Sequence, residues 1–277
     1  MSTKGIEDII ESSSKKYANL ISWFEEKNSK VIVALSGGVD SALVAFAARQ
    51  ALGKDRVLAI TANYKTLAAE ELDSAIKVAG EIDVKHLMIQ YNELENPQFV
   101  KNDMSRCYHC RNELADHLLE LAEIKKFDMV VDGSHMNDLS EYRPGMIALK
   151  KKGIKSPLIE NGLNKKEVRF LAKSNNISIY DKPSNSCLAS RIPHGSEVTH
   201  FKLSRIEKSE LVIKKEIGLN HIRVRDHGDI ARIELNKKDF TKLFGSQEEL
   251  SRVLKIMHQY GFKFITLDLE GYRSNQE

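Results

Sequence analysis

A pair of glycines between a predicted strand and a predicted helix is the first feature of the sequence that could do chemistry. Residues 31–35 form a short apolar run rich in β-branched side chains, which is typical of a central parallel strand. Gly37 and Gly38 follow this run, and glycine lets main-chain N–H groups approach a ligand closely. Asp40 and Ser41 stand where the next helix begins, and a helix N-terminus carries unpaired N–H groups with partial positive charge. The stretch therefore predicts a binding site for a phosphate or pyrophosphate group.

Three cysteines form the second candidate site. Cys107 and Cys110 make a CxxC pair, which alone is compatible with a redox, zinc or incidental role, and Cys187 adds a remote third thiol. Thiolates suit zinc or iron–sulfur clusters, and a structural zinc would need a fourth ligand that His109 could supply only awkwardly. A cubane cluster held by three cysteines leaves one iron open to carry an exogenous sulfide. The cluster is the favoured interpretation, and zinc, a redox pair and uncoordinated cysteines remain alternatives.

The elements predicted for the first two thirds of the chain alternate between strands and helices. Strands are predicted at 31–35, 57–62, 85–91 and 128–132, with helices at 5–27, 42–52, 66–82, 113–125 and after Asn164. This alternation indicates a parallel sheet with right-handed crossovers, and ligands of such sheets bind beyond the carboxyl ends of the strands.

Two stretches leave the predicted sheet at that edge. One is the glycine loop, and the other is residues 133–138, which follow the fourth strand. Gly133 would let a nucleotide approach, and Asn137 and Asp138 could bind ribose, magnesium or substrate. A polar turn that caps a helix is the alternative interpretation of this second stretch.

The order of predicted helices and strands changes in the last third of the chain. A helix is predicted at 199–217, a hairpin at 221–225 and 230–235, a helix at 246–260 and a strand at 264–269, which together indicate a small α+β domain. Arg223 and Arg225 stand two residues apart and therefore share one face of their strand. We predict two domains, residues 1–182 and 183–277, and expect residues 272–277 to be disordered.

Composition limits the classes of protein to which the chain could belong. The chain has 277 residues and a formal net charge of only +3, which gives no general argument for binding nucleic acid. No apolar run reaches membrane-spanning length, and residues 1–14 contain no apolar signal-peptide core. An odd number of cysteines without an export signal argues against a disulfide framework, so we expect a cytoplasmic protein.

The run SGGVDS at 36–41 resembles the signature of the PP-loop ATP pyrophosphatases, which cleave ATP between the α- and β-phosphates and adenylate their substrate. It is not a Walker loop, because no Lys-Ser or Lys-Thr pair follows, and it lacks the spacing of a dinucleotide fingerprint. The resemblance implies an adenine nucleotide α-hydrolase-like α/β sheet flanked by helices. It also implies ATP contacts from three stretches: Ala34, Ser36, Gly37, Gly38, Val39, Asp40 and Ser41; Thr61 and Ala62; and Gly133, Ser134, Asn137 and Asp138.

Together with CYHC at 107–110 and PSNSCLASRIPHG at 183–195, this loop resembles the LarE sulfur transferases over nearly the whole chain. That family serves the nickel-pincer nucleotide cofactor of lactate racemase. The resemblance implies adenylation of a carboxylate of pyridinium bis-carboxylic acid mononucleotide, release of pyrophosphate, and conversion to a thiocarboxylate. Members with three cysteines look like enzymes of the 4Fe-4S type, in which the cluster can hold an additional sulfide and Cys187 is a ligand rather than a sacrificed donor.

The same resemblance implies further residue roles and partners. Arg223 and Arg225 would hold the phosphate of the mononucleotide, and Arg191 would stabilise negative charge at the acyl centre. The catalytic residues implied by the resemblance are Cys187, Arg191 and Asp40. Magnesium candidates are Asp40, Asp138 and Glu234, because carboxylates suit that ion. A sulfide donor and a homo-oligomer are the implied partners, with no membrane and no nucleic acid.

Three other functions remain as alternatives. An iron–sulfur-dependent tRNA thiolase shares the loop and three cysteines, but its substrate demands a broad basic surface, whereas the lysines here are scattered. A non-catalytic, zinc-stabilised nucleotide-binding protein would contain zinc and release no pyrophosphate. An amidating PP-loop ligase would leave the cysteines without a catalytic role.

Overall fold

The computed structural model describes residues 3–140, 142–219 and 221–272, with the backbone alone for residues 3–10. The expected disorder of the tail falls mostly on residues 273–277, outside the described residues. The chain divides into two compact units. The first unit contains the residues up to Glu93 and Ser105–Asn185, and the second contains Leu94–Met104 and the residues from Ser186 onward.

The described residues form the following strands and α-helices. The strands are β1 (Val31–Ala34), β2 (Val57–Asn63), β3 (Lys85–Gln90), β4 (Met129–Val131), β5 (Ile222–His227), β6 (Ile230–Leu235) and β7 (Phe264–Leu267). The α-helices are α1 (Thr3–Lys27), α2 (Val39–Leu52), α3 (Ala69–Glu81), α4 (Pro97–Val100), α5 (Arg106–Lys125), α6 (Pro144–Lys151), α7 (Pro157–Glu160), α8 (Lys165–Ser174), α9 (His200–Ile217), α10 (Phe240–Leu243) and α11 (Gln247–Gln259).

The first unit is a parallel sheet covered by helices on both faces. Its strand order is β3-β2-β1-β4, and every neighbouring pair is parallel. Successive side chains of a strand face opposite sides, so Val31 and Val33 join one core with α1, α2, α3 and α8, and Ile32 joins another with α5. The predicted α/β fold is confirmed.

The second unit contains a mixed three-stranded sheet and the helices α9 and α11. Strands β5 and β6 form the predicted hairpin, and Gly228 allows its tight turn with a φ of +74°. Strand β7 pairs parallel with β6. A buried pair ties α9 to the hairpin, because Arg205 donates two hydrogen bonds of 2.6 Å to Asp226.

No pattern in the sequence indicates that Leu94–Met104 belongs to the second unit. Buried Asn102 anchors this segment, and its side-chain amide donates to the carbonyl oxygens of Pro193 and Ser196 at 2.8 and 2.7 Å. The Val198 N–H donates to the carbonyl oxygen of Val100 at 3.0 Å. The segment is therefore fixed by hydrogen bonds to the stretch that follows Cys187.

Helix α5 differs most from the prediction, because it begins at Arg106 rather than at residue 113. Residues 106–112 carry few apolar side chains, so periodicity does not reveal this first part of the helix. Tertiary packing covers it instead, since a Cβ on Gly145 of α6 would lie 2.8 Å from Arg111 Cγ. Across the described ranges, no helix has both the length and the apolar character needed to cross a membrane.

Candidate active site

The phosphate loop is closed by its own hydroxyl groups. Ser41 Oγ accepts a hydrogen bond from the Ser36 N–H and donates one to the Gly38 carbonyl oxygen, both at 3.1 Å. Gly37 has a φ of +76°, and a Cβ there would overlap the carbonyl oxygen of Glu71. No side chain of the described residues caps α2 at Gly38. The N–H groups at the start of α2 therefore remain available to an anion.

The stretch after β4 packs directly on the start of α2. A Cβ on Gly133 would lie 2.6 Å from the backbone nitrogen of Ser41, so only glycine permits this approach. Ser134 turns back onto the strand, since its N–H and hydroxyl donate to Asp132 at 3.1 and 2.7 Å. The structure thus brings the two predicted stretches together. A role of Gly133 in admitting nucleotide stays a prediction.

Asp40 lies between two helix N-termini and has two different carboxylate oxygens. Lys165, the first residue of α8, places its ammonium 2.5 Å from Asp40 Oδ2. The other oxygen, Oδ1, is buried and has no hydrogen-bond partner within the described residues, although His135 Nε2 lies 3.8 Å away. A carboxylate oxygen without a partner fits a magnesium ligand, because magnesium prefers such hard oxygen donors.

The other two polar residues of the second stretch are already used within the protein. Asn137 Oδ1 accepts a hydrogen bond from the Lys165 N–H at 2.9 Å. Asp138 accepts one from the His135 N–H at 2.8 Å and pairs with Arg143 at 2.6 Å. These contacts stabilise the turn. The predicted roles of Asn137 and Asp138 toward ribose, substrate or magnesium stay predictions.

Thr61, near the end of β2, contacts the residue that follows β1 and a residue of β3. Its hydroxyl donates to the Leu35 carbonyl oxygen at 2.8 Å, so His86 Nε2, also at 2.8 Å, must be the donor in the second contact. Burial lowers the pKa of His86, which favours the neutral ring with its proton on Nε2. Thr61 and Ala62 are both buried at the end of β2, and their contact with adenine stays a prediction.

Lys182 and Glu71 are site residues that the sequence analysis missed. Lys182 Nζ donates to the Gly37 carbonyl oxygen at 3.0 Å and to Glu71 at 2.8 Å. Asn185 Nδ2 donates to the same carboxylate at 3.1 Å. The lysine lies in a stretch that the sequence marks only as turn-prone, so no signal distinguished it from the other lysines.

The two cysteines of the CxxC pair lie in the first turns of α5. Cys107 and Cys110 stand three residues apart and therefore share one face of the helix. Cys187 belongs to the second unit, where it precedes a short 3₁₀ turn, Leu188–Arg191. None of the three forms a disulfide. No group of three or more His, Cys, Asp or Glu residues within 3–140, 142–219 and 221–272 is arranged to hold a metal ion.

Arg191 organises the segment around Cys187. Its guanidinium is 1% exposed and pairs with Glu210 through Nε at 3.0 Å and Nη2 at 3.2 Å. Nη1 donates to the carbonyl oxygens of Ser186 and Cys187 at 2.5 and 3.0 Å. This geometry indicates that Arg191 fixes the backbone at Cys187, and its predicted action on acyl charge stays a prediction.

Strands β5 and β6 carry a cluster of charged side chains. Arg225 donates to Glu234 Oε1 at 2.6 Å and to the Ser190 carbonyl oxygen at 3.0 Å, and Arg232 reaches the same Oε1 at 3.0 Å. Glu234 Oε2 is buried and has no hydrogen-bond partner among the described residues. Burial and the nearby charge of Arg191 lower the pKa of Arg223, so its cation would gain from an added anion.

Comparisons with known proteins find relatives that match most of the chain. The family model described as NAD synthase matches residues 15–116. An uncharacterized protein of Synechocystis is 40% identical over 261 residues, which are 94% of this chain and 96% of the relative. The pyridinium-3,5-bisthiocarboxylic acid mononucleotide synthase of Lactiplantibacillus plantarum is 32% identical over 247 residues, 89% of this chain and 88% of the relative. An uncharacterized protein of Methanocaldococcus jannaschii is 32% identical over 248 residues, 90% of this chain and 92% of the relative.

Proposed function

Because the chain belongs to the LarE sulfur transferases, the family of the pyridinium-3,5-bisthiocarboxylic acid mononucleotide synthase, we propose that it performs ATP-dependent sulfur transfer on that family's substrate. A carboxylate oxygen of pyridinium bis-carboxylic acid mononucleotide attacks the α-phosphorus of ATP, and pyrophosphate leaves. A sulfide nucleophile then attacks the acyl carbon, and AMP leaves. The product is a thiocarboxylate for the nickel-pincer cofactor of lactate racemase.

The observation that carries the ATP half of this proposal is the uncapped start of α2. Its N–H groups have no side-chain cap among the described residues, and the ammonium of Lys182 binds the Gly37 carbonyl oxygen of the same loop, so both kinds of donor are at hand for pyrophosphate. Asp40 Oδ1 would bind the magnesium ion, which supplies charge neutralisation for the phosphates. PP-loop proteins use ATP with magnesium, and the residues at this edge fit both.

The sulfur half of the proposal rests on the three thiols. Cys107, Cys110 and Cys187 would hold a 4Fe-4S cluster, which would supply the sulfide for the transfer. The i, i+3 spacing on α5 suits two ligands of one cluster. The third ligand, Cys187, rests on the three-cysteine pattern of the chain, which resembles that of the cluster-type members of the family. Arg191 holds the Cys187 carbonyl and so orients that thiol.

Arg223 and Arg225 would bind the phosphate of the mononucleotide. Both are largely buried on β5, where a guanidinium gives directed, bidentate hydrogen bonds. Glu234, which holds Arg225, is the remaining magnesium candidate and has one carboxylate oxygen without a partner among the described residues. A sulfide donor, a homo-oligomer and a cytoplasmic location complete the proposal.

The proposal is tested by following two products of one reaction. The protein, purified without oxygen, is incubated with magnesium, ATP and the mononucleotide, and pyrophosphate and thiocarboxylate are measured separately. Cys110→Ala should keep substrate-dependent pyrophosphate release and lose thiocarboxylate formation, together with iron and acid-labile sulfide. Zinc in place of iron, or pyrophosphate release that requires RNA or ammonia, would exclude the proposed reaction.

A further inference from the structure

The ion pair between Lys165 and Asp40 occupies the carboxylate that magnesium would need. The two residues are 125 positions apart in the chain, yet Nζ lies 2.5 Å from Oδ2. The side chains are 24% and 22% exposed, so water and ions can reach both. A partly exposed pair of this kind contributes little to stability, so a competing ion can exchange with either partner.

Lys165 stands at a place where a cation is otherwise unfavourable. It is the first residue of α8, and Asp40 lies in the first turn of α2, so the ammonium lies near two helix N-termini. Each N-terminus carries about half a positive charge. Lys182 pairs with Glu71 at the same loop, so the two carboxylates offset the two ammonium groups. At α8, Asn164 and Glu167 already cap the helix end. The uncapped end of α2 therefore leaves about half a unit of positive charge, which favours an anion.

The two oxygens of Asp40 give the pair a way to change partners. Oδ2 is held by Lys165, whereas Oδ1 is buried without a hydrogen-bond partner among the described residues. A divalent ion that binds this carboxylate repels the ammonium on its other oxygen. Lys165 has a flexible four-carbon stem, so its ammonium can move while its backbone N–H stays bonded to Asn137.

We propose that Lys165 is an exchangeable counter-ion, which holds Asp40 before a divalent cation binds and pairs with the pyrophosphate portion of the nucleotide when the cation occupies Asp40. The inference rests on the proposed function, because it assumes that ATP and magnesium bind at the start of α2. It adds a residue that couples arrival of the metal to retention of the leaving group. Lys165 thus alternates between one carboxylate and one phosphate.

The test measures two affinities that should change in opposite directions. Lys165→Met removes the cation that competes at Asp40, so the affinity for Mn²⁺ alone, followed by its paramagnetic signal, should rise severalfold. The same variant loses a charged contact to the ligand, so the affinity for pyrophosphate in saturating Mn²⁺ should fall about tenfold. Lys165→Arg should restore most of the pyrophosphate affinity.

The matched control is Lys166→Met, which removes the same charge from the next residue, whose side chain is exposed. It should leave both affinities unchanged. If Lys165→Met lowers both affinities, or changes neither while wild type binds both ligands, the counter-ion role is excluded. Wild type that binds neither Mn²⁺ nor pyrophosphate would overturn the proposed function as well. A melting temperature equal to that of wild type excludes misfolding as the cause.

Discussion

The charged pairs at the phosphate loop of the first unit differ in burial from those of the second unit. At the loop, Lys165 and Asp40 keep 24% and 22% of their side chains exposed. In the second unit, Arg191 and Glu210 keep 1% and 8%. Exposed pairs contribute little to stability and exchange partners easily, whereas a buried pair is costly to break. The first unit thus has charges that a ligand can rearrange, and the second has charges that fix a backbone.

Breaking the buried pair tests this contrast most strongly. Glu210→Gln leaves the Arg191 cation without its carboxylate and weakens the bond from the Val224 N–H, which is 3.0 Å long in wild type. We expect the free energy of unfolding to fall by about 3–5 kcal/mol. Urea unfolding of Lys165→Met, in which a partly exposed pair is lost, should show a change of at most about 1 kcal/mol. Equal losses of unfolding free energy in the two variants would show that the buried pair and the partly exposed pair do not differ in their contribution to stability.

The phosphate loop depends on backbone shape rather than on its ion pairs. Gly37→Ala forces an L side chain into a φ of +76° and against the Glu71 carbonyl oxygen, so it should cost about 1–3 kcal/mol. Gly38→Ala is the matched control, because its φ is −97° and its Cβ would meet only Ser36 Oγ at 3.4 Å among the described residues. Urea unfolding should separate the two variants, and similar curves would show that the Gly37 conformation is not required.

The smallest predicted effect concerns Glu167, which caps α8 in the first unit. Burial alone would raise its pKa, but bonds from Lys16 and the Asn164 N–H hold the pKa below the ordinary value of 4.5. Because the folded pKa lies below the unfolded one, this stability is present above pH 4.5 and is lost as pH falls through the folded pKa. Unfolding measured from pH 6 to about pH 3 should show Glu167→Gln converging with wild type in acid. The control is Glu26→Gln at an exposed position. Its unfolding curves should not converge with those of wild type as the pH falls.

The sequence revealed elements whose signal is local. The β-branched run at β1, the hairpin turn at Gly228 and the start of α8 after Asn164 all depend on residues close together in the chain. Helix α5 was underestimated, because its first two turns are polar and gain their burial from α6.

Several residues of the site could not be recognised from sequence because their meaning depends on tertiary contacts. Lys165 and Lys182 look like any other surface lysine until the fold brings them to Asp40 and Glu71. The ion pair of Arg191 with Glu210 also depends on the fold, and the predicted role of Arg191 in acyl chemistry stays a prediction. The sequence shows which side chains are charged. Only the fold shows the partner of each charged side chain, and the partner decides the role.

The early position of Leu94–Met104 in the chain has a consequence for biosynthesis. The partner of Asn102 at Pro193 is made 91 residues later, so a growing chain must keep this segment unpaired while most of the first unit emerges. The second unit can therefore be completed only after residues 105–185 of the first unit have been synthesised. A C-terminal fragment that starts at residue 183 would lack the segment entirely, and supplying 94–104 as a separate peptide would be the way to complete it.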